Sequence, residues 1–289
     1  MPDYFKYHGL GNDYLVIEPG AFAQPVTAQA ARMICDRHRG VGADGVLLGP
    51  LPGGEAEAPA VRILNPDGSE AEKSGNGLRI FARHLWERRL VRQTPFAIRT
   101  AGGIVQARIL DDGGQRIALE MGAVSFDSAR VPMSGPPRQV LRESLEVAGR
   151  VLTVSAANVG NPHCVVLVED PSADLARELG PRIERHPSFP QRTNVQFVTV
   201  TGAHSIRMEI WERGAGYTLA SGTSSCAAAA VVCRLGLCES PVAVQMPGGV
   251  LEVSLDAHYH AELKGEVASV CQGDFSEEFL RAIGLTRLP

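Results

Sequence analysis

The strongest constraint on this chain is that it repeats itself. Gly11-Asn12 ahead of Leu15-Val16-Ile17 returns 149 residues later as Gly160-Asn161 ahead of Val165-Val166-Leu167. Ser74-Gly75, opening a helical run with Ala82, returns 147 residues later as Ser221-Gly222 with Ala229. Gly102-Gly103-Ile104-Val105-Gln106 returns 146 residues later as Gly248-Gly249-Val250-Leu251-Glu252. Any one match is noise. Three in the same order at nearly one spacing predict two homologous halves.

Each half has the same coarse plan. Strand patterns rich in branched residues at 15–18, 61–64, 104–110 and 117–121 are cut by Gly, Asp and Pro turns. The second half repeats them at 164–168, 194–200, 206–211 and 250–255. Few strands are separated by helices of crossover length, which disfavours a doubly wound sheet and favours a mixed α+β fold. One central helix per half is expected just after each Ser-Gly, over 78–88 and 226–235. Further helices fit 27–37, capped by Thr27, 172–179, ending at Gly180, and 277–283. Pro132, Ser134, Gly135, Pro136 and Pro137 place a linker near 125–137. The expected domains are 1–126, rejoined by 276–289, and 127–275.

Length agrees: 289 residues is about twice the ~150-residue prior for one domain. With 44% hydrophobic and 21% charged residues there is enough apolar side chain for a sizeable core. A net charge of −4 without long like-charged blocks argues against nucleic acid and acidic membranes as partners. The apolar stretch from Cys226 stops at Arg234, short of the ~20 residues of a membrane span. Met-Pro-Asp-Tyr-Phe-Lys is no secretory signal, so a cytoplasmic location is expected. Six dispersed cysteines, none in a Cys-x-x-Cys pair, suit reduced thiols. Cys233 and Cys238 read as core fillers. His258-Tyr259-His260 lacks a third ligand at convincing spacing, and no metal is expected. No phosphate loop or dinucleotide fingerprint appears.

The chemistry concentrates at the two helix mouths. The turn 65–70 leads into Ser74-Gly75-Asn76-Gly77, and 212–216 leads into Ser221-Gly222-Thr223. A Gly-rich helix entry presents backbone N–H groups and partial positive charge to a carboxylate or phosphate. A Ser there is ordinarily just an N-cap. Two such mouths at equivalent places in duplicated halves predict one ligand gripped from both sides.

At these residues the chain resembles the diaminopimelate epimerase family. The resemblance is carried by His8-Gly9-Leu10-Gly11-Asn12-Asp13, Asn65-Pro66-Asp67-Gly68-Ser69-Glu70, Ser74-Gly75-Asn76-Gly77-Leu78-Arg79, Gly160-Asn161-Pro162-His163 and Glu212-Arg213-Gly214-Ala215-Gly216, and runs from residue 4 to about 275. It implies two pseudo-symmetric halves, each a mixed sheet or barrel around a central helix. The implied activity is a cofactor-independent epimerase of a diamino diacid, LL-/meso-diaminopimelate, in lysine and peptidoglycan synthesis. The implied partners are a small amino-acid substrate and, in a homodimer, a second copy of the chain.

In that family two cysteines flank the substrate α-carbon, one removing a proton and the other returning one to the opposite face. Their positions align with Ser74 and Ser221. A thiol ionises near 8.5 and an alcohol near ~15.7, a gap of roughly 7 units or about 10 kcal/mol, against ~0.3–2 kcal/mol from a helix dipole. Serine can act if a neighbour takes its proton, and the resemblance offers His163 and Glu212. It also implies that Asn12, Asn65, Asn161 and Asn194 bind the amino and carboxylate groups. Arg213 with Glu212 would clasp the distal end, and backbone N–H groups of Gly75, Asn76, Gly222 and Thr223 would hold carboxylates. The alternative role for each Asn is a turn or cap.

Other departures lie close by. Tyr217 stands where the family usually has Glu, Lys73 where it has an apolar residue and Ser224 where it has Gly, while Gly45 replaces a polar contact of some members. Two origins stay open, a Cys-to-Ser form of a working epimerase or a natural member with altered chemistry, and the number of departures favours the second. Two further activities stay open with them, a proton-abstracting dehydratase or isomerase and an inactive amino-acid-binding module.

Overall fold

The computed structural model describes residues 2–51 and 58–288, which form two compact units. The first comprises Met1–Leu119 and Gly265–Pro289, the second Glu120–Lys264.

The first unit opens with a hairpin of β1 (Tyr4–Gly9) and β2 (Asn12–Ile17). Its connection, Leu10-Gly11, has φ of 56° and 86°, the primed-turn geometry that right-twisted strands require. Helix α1 (Ala28–Cys35) carries the chain over so that β3 (Val46–Leu48) lies parallel to β2. Then come β4 (Arg62–Leu64) and β5 (Glu70–Ala71), helix α2 (Gly75–Glu87), and the meander β6 (Phe96–Thr100), β7 (Gly103–Ile109) and β8 (Arg116–Ala123), whose last residues belong to the second unit.

The second unit repeats this order. After β9 (Glu143–Val147), β10 (Arg150–Asn158) and β11 (Pro162–Leu167) form the hairpin, and α3 (Ala173–Glu184) crosses to β12 (Asn194–Gly202), parallel to β11. Next are β13 (Ser205–Glu212), β14 (Gly216–Thr218), α4 (Gly222–Arg234), β15 (Val242–Met246), β16 (Gly249–Leu255) and β17 (His260–Glu266). Even the parallel contact of β13 with β15 has its echo in the bridge of Ala60 to Arg99 in the first unit. The α+β class and the duplicated plan are both present.

The last segment completes the first unit. β18 (Ala268–Gly273) pairs antiparallel with β1, in the place that β9 takes beside β10, giving the order β18-β1-β2-β3-β4-β5. Helix α5 (Glu277–Ile283) is capped by Ser276 and stopped by Gly284 at φ 72°, and buries Leu280 and Ile283 against Leu15, Ile17 and Ile34. The chain therefore rejoins its first unit from Gly265, earlier than residue 276.

Each unit is built around a helix without a solvent face. Every α2 residue from Gly75 to Leu85 is buried, as is α4 at Gly222 and from Ser224 to Val232. Small side chains at Ala227–Ala230 let strands close on α4 from several sides. Two buried polar side chains of α2 find partners in place: His84 meets Glu18 at 3.1 Å and Tyr7 at 3.3 Å, and Arg83 pairs with Glu87 at 2.7 Å.

Three local expectations are corrected. The central helices begin directly after Ser74 and Ser221, so the glycines read as entry loops form the first turns. Helix α3 runs past Gly180 and Pro181 to Glu184, because Gly180 serves close packing: a Cβ there would stand 2.5 Å from Trp211 Cβ. The Pro-rich stretch 125–137 lies inside the second unit and is packed, with Val131 and Met133 in its core and the Ser125 N–H donated to Asn158 O at 3.0 Å.

Candidate active site

In the first unit, Ser74 is the N-cap of α2, extended at φ −140°, and its Oγ accepts the Gly77 N–H at 3.1 Å. The Tyr14 hydroxyl lies 3.3 Å from the same Oγ. Gly75 and Asn76 form the first turn, whose N–H groups have no intrahelical acceptor.

Asn12 is bound on both sides. Its Nδ2 donates to Asp44 Oδ2 at 2.9 Å and its Oδ1 accepts from Asn76 Nδ2 at 3.1 Å. Arg79, fully buried, donates in turn to Asn76 Oδ1 at 2.7 Å. Behind Asn12, Asp13 pairs with Lys6 at 2.9 Å and Arg37 at 2.8 Å, and Arg37 also reaches Asp44 at 2.7 Å. Burial alone would raise the Asp13 carboxyl, but the hydrogen bonds and charges of Arg37 and Lys6 together bring it down to about 2. Asn65 spends its amide locally, donating to Ser69 Oγ at 2.9 Å in the turn that Gly68 allows at φ 78°.

In the second unit, Ser221 caps α4 in the same extended conformation, φ −149°, but makes no side-chain cap bond. Burial pushes the Glu212 carboxyl above its ordinary range, and the neighbouring Ser221 hydroxyl offsets this only in part. Gly222 and Thr223 form the first turn of α4.

His163 is fully buried and neutral. Its Nε2 meets Asn161 Oδ1 at 2.8 Å and its Nδ1 meets Gln196 Nε2 at 3.1 Å, so the proton resides on Nε2. Burial lowers its pKa to about 3, opposed in part by the Gln196 hydrogen bond, with the nearby Arg213 charge adding the smallest effect, downward. Gln196 Nε2 also donates to Ser224 Oγ at 3.0 Å, which ties β11, β12 and α4 together. Asn194 links two backbone groups, donating to Pro162 O and accepting from Arg213 N, both at 2.9 Å. The Arg213 side chain is exposed and donates to Gln191 O at 3.1 Å. Tyr217 places its hydroxyl on Glu209 at 2.8 Å.

In the first unit Asn12 joins Asn76 in the first turn of α2, and in the second Asn161, His163 and Gln196 form a chain to Ser224 in the first turn of α4. Asn194 is tied to the Arg213 backbone, and the Asn65 amide bonds within its own turn. Tyr14, Asp44, Gln196 and Glu184 were not anticipated. Only Gln196 left a trace, as a polar residue within the apolar run 194–200. No cysteine stands at either cap position, and burial raises Cys164 strongly and Cys35 to about 12. Among the described residues no group of three metal-ligating side chains forms, and no helix is long and apolar enough to cross a membrane. His260 pairs with Asp256 at 2.9 Å.

A family model described as diaminopimelate epimerase matches residues 4–126 and 155–270. The chain belongs to the diaminopimelate epimerase family. It is 50% identical over 275 residues to diaminopimelate epimerase 2 of a Nostoc species, covering 95% of this chain and 96% of that one. To the diaminopimelate epimerase of Pelotomaculum thermopropionicum it is 39% identical, over 93% and 97% of the two chains. Among solved structures it is similar in fold to a probable proline racemase from Agrobacterium radiobacter, with a TM-score of 0.68, 18% identity and coverage of 96% and 93%. A hydroxyproline epimerase from Agrobacterium vitis matches with a TM-score of 0.67 at 18% identity, covering 93% and 90%.

Proposed function

We propose that this family member is a cofactor-independent epimerase that interconverts LL- and meso-diaminopimelate by proton transfer through Ser221 and Ser74. The observation that supports the reading is at the mouth of α4: Ser221, a cap residue whose side chain makes no cap bond, neighbours a Glu212 carboxyl that burial holds above its usual range. A lone serine is too weak a base by roughly 7 units relative to a thiol. A serine that passes its proton to a carboxylate is not required to ionise.

In the abstraction step the Cα proton moves to Ser221 Oγ while the Oγ proton moves to Glu212. The carboxylate becomes a carboxylic acid, the serine stays neutral, and the electron pair spreads from Cα into the substrate carboxylate. First-turn N–H groups, Gly222 and Thr223 in one unit and Gly75 and Asn76 in the other, are assigned to substrate carboxylates, where helix-end charge favours the growing anion. Ser74 returns a proton to the opposite face. Arg213, with its exposed guanidinium, is assigned to the distal carboxylate. Both ring nitrogens of His163 are engaged, which supports a positioning role: by donating to Asn161 Oδ1 it fixes which way that amide presents its N–H groups.

The test is solvent exchange. Incubated with LL-diaminopimelate in heavy water, the protein is expected to replace the α-proton with deuterium, followed by NMR, and to form the meso isomer. Tight binding by calorimetry without any exchange would instead indicate a binding module, and keto-acid release a dehydratase.

A further inference from the structure

We propose that Tyr14 is the proton reservoir of Ser74, acting through the serine hydroxyl without touching substrate. The inference rests on the epimerase reading above and concerns the first unit alone. Three observations meet at Ser74. Its Oγ accepts the Gly77 N–H at 3.1 Å, and the Tyr14 hydroxyl stands 3.3 Å away. Either hydroxyl can donate in this pair; when the phenol donates, the Oγ receives both donors and keeps its own proton for a ligand. Ser221 differs in making no side-chain cap bond at the mouth of α4.

The second observation is the seat of the ring. Tyr14 is 7% exposed. A Cβ on Gly45 would stand 2.6 Å from Tyr14 Cε1 and 2.8 Å from Leu64 O. The ring occupies the space that a side chain at residue 45 would fill, so the glycine and the tyrosine require each other. The third is chemical. A serine that has given up its proton is an alkoxide near ~15.7, while a phenol near ~10 can refill it at far lower cost.

In the donation step the Ser74 Oγ–H bond breaks as the Cα–H bond forms. The Tyr14 O–H bond breaks as Oγ–H is restored, and the phenolate keeps the electron pair until water returns a proton.

The experiment measures deuterium wash-in at Cα of LL-diaminopimelate with the unaltered chain, with Tyr14→Phe, and with a fluorinated, more acidic tyrosine at position 14, each across pH. Tyr14→Phe keeps the ring in its seat and the Gly77 bond to Ser74, so thermal unfolding is expected to be unchanged while exchange falls about a hundredfold. The fluorinated tyrosine is expected to move the alkaline limb of the profile to lower pH, a response that a merely structural hydroxyl would not give. Unchanged exchange in Tyr14→Phe, or a limb that ignores the phenol's acidity, overturns the proposal and leaves the epimerase reading standing. No exchange by the unaltered chain overturns both.

Discussion

Trp211 and Glu184 are locked together: the indole N–H donates to Glu184 Oε2 at 2.8 Å, and the other carboxylate oxygen takes the Gly214 backbone N–H at 3.1 Å. One buried carboxylate, 2% exposed, thus holds both ends of the turn that carries Glu212 and Arg213. Glu184→Gln leaves one acceptor and sets an N–H against a donor. The expected cost is about 1–3 kcal/mol by urea unfolding, with a matching loss of exchange as Glu212 loosens. Unaltered stability would remove Glu184 from this role.

Gly180 is expected to resist replacement. A helix interior ordinarily gains about 1 kcal/mol from Gly→Ala. Here the added methyl would sit 2.5 Å from Trp211 Cβ and Cγ. Gly180→Ala should therefore destabilise by about 1–3 kcal/mol through overpacking, and a higher melting temperature would contradict the packing described.

The buried His163 predicts acid sensitivity with a defined sign. Its folded pKa, about 3, lies below the ordinary ~6.5, so the unfolded chain binds the extra proton between these values. Stability is full above about pH 6.5 and falls as pH drops toward 3. Asp13, held at about 2, adds a second loss below about pH 4. Unfolding free energies measured from pH 7 to 3 should show the first slope in the native chain and a much shallower one in His163→Gln.

Catalysis should depend on an ionised Glu212. Because burial raises its pKa, exchange is expected to rise with pH through a midpoint above the ordinary ~4.3 of glutamate. Glu212→Gln should lower exchange about a hundredfold above that midpoint and flatten the pH profile. Ser221→Cys, which supplies a group ionising near ~8.5, should accelerate it and weaken its need for Glu212. A flat pH profile in the native chain would exclude Glu212 as the proton acceptor.

What could be read from residues was mostly local. Thr27 caps its helix as expected, and the short helices expected at 172–179 and 277–283 are present, capped by Ser172 and Ser276, because a cap bond spans only three residues. The repeat was legible because it is written at three points. Gly180 misled, since a glycine chosen for contact with a tryptophan 31 positions away looks the same as one chosen to stop a helix. Tyr14 lies 60 positions from Ser74, and Gln196 lies 33 from His163. Only the packing of strands and helix ends brings such pairs together. Asn65 and Asn194 show the other limit: an amide can serve a ligand or its own backbone, and only coordinates reveal that the first bonds Ser69 and the second bonds Pro162 and Arg213.

The pairing of β1 with β18 sets a timetable for synthesis. On a ribosome every strand of the second unit emerges before the one that covers β1. Until then the first unit carries an open strand edge, the kind of surface on which neighbouring nascent chains can associate. The unit begun first is the one finished last.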